Sequence, residues 1–192
     1  MTQDISEETR RASKEVLKMI YYIIIALAIT ESLNKLFLSN IATLYLIVAF
    51  LLTICRFAHG ASIHLDVYSR KRYKPLFDFL EFFFQAGLFY LMSTVLTEPY
   101  NFSLLFITML LSDAIWLCFL WLIKYIESDK THKQWLISDI IIIFILSFLL
   151  LIPSQTIQYD LYSLIVMITS IIATVTDYSF NKDFYFPSVD NL

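Results

Sequence analysis

The chain has 192 residues, of which 58% are hydrophobic and 16% charged, with a mean hydropathy of +0.68 and a formal net charge of −3. A soluble domain carries roughly 25% charged residues, so this composition excludes a water-covered globule and implies that much of the surface faces lipid. The small net charge gives no reason to expect a nucleic-acid partner.

A spanning helix needs roughly 20 mostly apolar residues, and six stretches qualify, giving an all-α, polytopic fold with no extramembrane domain. Residues 1–16 are expected to form a cytoplasmic tail. Within it "SEETRRASKEVLK" offers a helix cap at Ser6, and its basic residues serve to orient the chain. No small-residue cleavage site follows the first apolar run, so no signal peptide is expected. The first span covers 17–38 and carries Glu31 and Lys35. Their i, i+4 order suits a local ion pair near the outer surface.

The second span, 41–62, contains Arg56 and His59 within apolar sequence. The basic run that follows, with Arg70, Lys71, Arg72 and Lys74, orients the chain and is a candidate site for anionic lipid headgroups. The third span, 76–97, sets Asp78, Glu81 and Gln85 at i, i+3, i+7, which is one helical stripe. The fourth, 102–125, holds Asp113. The fifth, 135–153, holds Asp139. The sixth, 157–178, ends on Asp177 and is followed by a cytoplasmic tail, 179–192. Residues 17–178 therefore form the six-helix transmembrane domain.

Orientation follows from Lys and Arg. With the N-terminus inside, the cytoplasmic segments hold Arg10, Arg11, Lys14, Lys18, Arg70, Lys71, Arg72, Lys74, Lys124, Lys130, Lys133 and Lys182. The opposite side holds only Lys35. Both termini are thus expected in the cytoplasm and the protein in the cell membrane. The Asn101-Phe102-Ser103 sequon then falls outside, hard against the bilayer.

An ionisable group at the centre of a span costs about 2.5–3.5 kcal/mol on insertion scales, so such groups usually face protein or water. At a rise of about 1.5 Å per residue, Arg56, His59, Glu81 and Asp139 all lie in the inner half. Asp113 lies near the middle and Asp177 at the inner boundary. The expectation is a cytoplasm-facing site in which Glu81, Asp113 and Asp139 hold Arg56, with His59 on the same helix face. One guanidinium cannot balance that many acids, so protons, water or another cation must complete the site.

The surplus of acid points to a homo-oligomeric channel or transporter for a cation or proton. The alternatives are an accessory membrane protein acting through partners, and an intramembrane enzyme on a lipid substrate. Span interiors lack proline and contain only Gly60 and Gly87, which weighs against broken transporter helices. No phosphate-binding or nucleophile motif occurs, and no cofactor is expected. His59 and Asp66 are weak metal candidates, with His64 pointing elsewhere and His132 in a separate loop. Cys55 and Cys118 are expected as small core residues. Trp116, Trp121 and Trp135 are expected to form an interfacial belt.

Overall fold

The computed structural model describes residues 7–37, 40–67, 75–122, 130–152 and 157–186. Among these residues there are seven helices and no strand. They are α1 (Glu7–Leu36), α2 (Ile41–Val67), α3 (Pro75–Thr94), α4 (Pro99–Leu122), α5 (Lys130–Leu151), α6 (Tyr159–Phe180) and a short α7 (Lys182–Tyr185).

Local chemistry sets several of the boundaries. Asn40 precedes α2, and its Oδ1 accepts the Thr43 backbone N–H at 2.9 Å, an N-cap. Pro75 and Pro99 open α3 and α4 at the one helical position where a missing N–H costs nothing. Lys35 on α1 donates to the carbonyl of Thr94, the last residue of α3, and so satisfies an orphan helix-end acceptor.

Five helices, α1, α2, α4, α5 and α6, are long and apolar enough to cross a membrane. The apolar runs of the sequence predict six. The difference is α3, which has 20 residues but carries Asp78, Glu81 and Gln85. All three are buried, while Phe79, Leu80, Phe83, Phe84, Tyr90 and Leu91 of the same helix are exposed. The polar stripe faces the bundle and the apolar surface faces out.

Both tails are partly helical. Residues 7–16 continue the first helix without a break, because nothing in "EETRRASKEV" interrupts it. Ser6, the expected cap, lies outside the described residues. The segment after Asp177 is anchored: α6 runs on to Phe180, and α7 returns Tyr185 to the interior at 3% exposure.

The helices pack as a closed ring in the order α1, α3, α4, α5, α6, α2 and back to α1. α2 also reaches across to α3 and α4, and α4 reaches α6, so the ring has a filled centre. Contacts fix which ends lie together. Lys14 and Lys18 of α1 meet Asp66 near the end of α2 at 3.0 and 2.7 Å. His64 of α2 meets Asp78 at the start of α3 at 3.7 Å, and its ring lies 5.9 Å from that of His132 at the start of α5. The starts of α1, α3 and α5 and the end of α2 therefore share one end of the bundle, called basal below. At the other, apical end, the rings of Tyr100 and Tyr162, near the starts of α4 and α6, lie 4.7 Å apart.

The apical half has an apolar core that includes Leu46, Phe50, Phe89, Met92, Phe102 and Phe106, each at most 1% exposed. Edge-on aromatic pairs occur there, Phe50 with Phe89 and Phe102 with Phe106. The buried polar groups gather in the basal half.

Candidate functional site

Arg56 is 5% exposed, and its Nη2 donates to Asp139 Oδ1 at 3.2 Å, joining α2 to α5. Its Cζ also lies 4.8 Å from the centre of the Phe57 ring, a cation–π contact. Asp113 on α4 lies beside Asp139, and both carboxyls line the cavity that holds the guanidinium. Asp113 and Asp139 are 8% and 2% exposed, which keeps the pair out of bulk water.

Asp177 completes the group from α6 and is fully engaged. Its Oδ1 accepts Trp135 Nε1 at 2.8 Å and Asn181 Nδ2 at 2.7 Å, and its Oδ2 accepts Tyr185 Oη at 2.6 Å. Burial and the adjacent Asp177 carboxylate push the Tyr185 phenol far above its ordinary pKa, so it remains a neutral donor.

Arg56, Asp113, Asp139 and Asp177 line a common cavity of about 40 Å³, together with His64, Gln85, Trp116, Trp135 and Tyr185. That volume holds a few water molecules. Three carboxyl groups from three helices thus face one guanidinium across a space open to water or a small ion. Gly60 sits beneath this cavity. A Cβ there would lie 3.6 Å from Trp135 and from Tyr185 Oη, an ordinary contact.

The other expected residues are placed elsewhere. His59 does not line the cavity: its Nδ1 shares a hydrogen bond with Tyr178 Oη at 3.0 Å, and its ring packs on Tyr185 and Phe186. The cavity face of α2 is Arg56, Gly60 and His64, an i, i+4, i+8 row, not the i, i+3 pair. Glu81 does not reach Arg56 either. It accepts Ser112 Oγ at 3.2 Å and lines an outward groove between α3 and α4. The stripe on α3 is shared among three neighbours. Asp78 faces His64 on α2, Glu81 faces Ser112 on α4, and Gln85 Oε1 accepts Tyr21 Oη of α1 at 2.8 Å.

Glu31 and Lys35 form the expected local pair at 3.9 Å, with the added bond from Lys35 to α3. Arg70, Lys71, Arg72 and Lys74 lie outside the described residues.

His64 does point elsewhere than His59, into the cavity. His132 is not in a loop, because the fifth helix starts early enough to include it, and it is fully buried. Trp116 and Trp135 line the cavity in place of joining a belt, because Trp135 has a buried acceptor in Asp177. Cys55 and Cys118 are exposed on the outside of the ring and unpaired. His59 and Asp66 take separate partners, and no group of three or more metal-donor side chains occurs among the described residues.

Sequence reasoning missed several cavity residues, among them His64, Trp135 and Tyr185. The first was detectable from its eight-residue spacing to Arg56. The other two depend on how α5 and α7 fold back, which no local pattern records. No family model matches the chain, and neither a curated protein nor a solved structure is similar to it.

Proposed function

We propose that the chain is a six-span protein of the cell membrane, both termini cytoplasmic, that binds and passes a proton or a small cation through the Arg56–Asp139–Asp113 cluster. The observation that carries this reading is a pair of buried carboxyls, Asp113 and Asp139, beside one guanidinium in a water-sized cavity. Asp177, with three donors in hand, is the fixed anion of the site. The Asp113–Asp139 pair is its variable part. One guanidinium cannot balance both acids, so a proton or cation entering through cavity water completes the charge.

The topology has independent support. α3 lies between α1 and α4 in the ring and turns its acids inward, as a sixth span would. The start of α1 carries Arg10, Arg11, Lys14 and Lys18 and the start of α5 carries Lys130 and Lys133, all at the basal end, which suits a cytoplasmic side. The residues that line the cavity all come from one copy of the chain. Association between copies, which the exposed apolar faces would suit, leaves each copy with its own site.

Proteoliposomes with an internal pH dye test the proposal. Wild type is expected to dissipate an imposed proton or potassium gradient, and Asp113→Asn and Asp139→Asn to abolish the flux while keeping helical content and a single size-exclusion peak. A correctly folded wild type that passes neither species at any pH would reduce the cluster to a packing device.

A further inference from the structure

A second cavity, of about 410 Å³, lies on the outside of the ring between α5 and α6. It is within the roughly 300–1,000 Å³ of small-molecule sites. Its walls are apolar and outward-facing, with Ile137, Ile141 and Ile172 each more than half exposed. Along α5 it runs from Gln134 to Ile145, about 16 Å at 1.5 Å per residue. That matches one leaflet of a hydrocarbon core about 30 Å thick.

The basal end of the groove is polar in a particular way. Asn181 is 4% exposed, and its amide N–H₂ is committed to Asp177, which fixes the amide's orientation. Among the described residues its Oδ1 is then a buried acceptor without a hydrogen-bond partner, as is Oε1 of Gln134 on the facing helix. Buried polar atoms are nearly always satisfied, so two bare acceptors at one end of a groove need a donor. Asp177 also lines this end. A set made of amide oxygens and a carboxylate repels phosphate and sulfate and suits hydroxyl groups.

We propose that this groove binds a single-chain membrane amphiphile with an uncharged hydroxyl headgroup, of the monoacylglycerol type. The chain lies along Ile137, Ile141 and Ile145, and the hydroxyls donate to Asn181 Oδ1 and Gln134 Oε1. The site needs only a bilayer around the helices. It stands whether or not the central cluster carries protons.

The test is native mass spectrometry of the full chain in nanodiscs, with monomyristoylglycerol as probe and tetradecyl sulfate as the charged-head control. Wild type is expected to retain monomyristoylglycerol and not the sulfate. Gln134→Leu removes one acceptor and is expected to weaken retention about tenfold. Ala173→Phe fills the groove and is expected to abolish it, while Ile168→Phe, on α6 but outside the groove, leaves it intact. Should Ala173→Phe not fold, Ile141→Phe blocks the groove from the opposite wall. Equal retention of the two amphiphiles, or retention unchanged in a folded groove-filling variant, overturns the proposal.

Discussion

The two halves of α2 live in different media. Its apical half buries Ala42, Leu46, Ile47, Ala49 and Phe50 against other hydrocarbon. Its basal half buries Arg56 and His64 among acids and aromatic N–H groups. In the first region stability comes from shape and dispersion, so each side chain contributes through its own volume. In the second it comes from matched charge and hydrogen bonds, so each group's contribution depends on its partner's presence. The same helix therefore contains positions where loss is local and positions where loss leaves another group stranded.

The largest effects separate these two kinds of position. Arg56→Met strands Asp139 and is expected to cost about 3–5 kcal/mol, as broken buried pairs do. Leu46→Ala leaves a cavity and is expected to cost about 2–5 kcal/mol. Thermal unfolding in detergent would rank them similarly. A second change distinguishes them. Arg56→Met combined with Asp139→Leu is expected to recover most of the loss, because neither member of the bonded ion pair is left without the other. No single neighbour of Leu46 should do so without refilling the volume. If the double variant is no more stable than Arg56→Met alone, the basal half is packed like the apical half and the contrast fails.

A smaller effect is expected at Tyr185. Tyr185→Phe keeps the ring and removes one of three donors to Asp177, at a cost of about 1–3 kcal/mol. Because Trp135 and Asn181 still hold the carboxylate, helical content should survive. Release of the α7 segment should appear as faster proteolysis near residue 181. Unchanged melting and unchanged proteolysis would show that the Asp177–Tyr185 bond does not anchor the segment.

The smallest effect has the opposite sign. Gly60→Ala places a methyl at ordinary contact distance from Trp135 and Tyr185 and removes glycine's backbone freedom from a helix. It is expected to raise stability by about 0.5–1 kcal/mol while narrowing the cavity. A lowered melting temperature would mean that the floor of the cavity has no slack.

What could be read from the sequence follows from which forces are local. The helices were legible because long apolar runs bounded by Pro75, Pro99 and polar breaks leave the backbone little choice. The inward turn of the α3 stripe was legible because Asp78, Glu81 and Gln85 fall on one face of a helix whose remaining surface is aromatic. The partner of each stripe residue was not. Spacing gives a direction around one helix, and the partner depends on which helix the ring places there. Glu81 therefore finds Ser112 in place of Arg56. The count of spans turned on the same helix, because three inward polar residues lower its hydropathy without changing its length. His132 and Tyr185 were read as loop and tail because the chain around them is polar. Buried neighbours across the bundle, such as His64 and Asp177, decide their position.

The contact between Arg56 and Asp139 links residues 83 positions apart. During synthesis Arg56 is therefore made long before its bonded acid, and in a helix that spans a bilayer an unpaired cation costs about 2.5–3.5 kcal/mol. A chain halted before α5 has Asp113 of α4 near the guanidinium but lacks Asp139. Completion of the fifth helix is thus the moment at which the cation gains its ion pair.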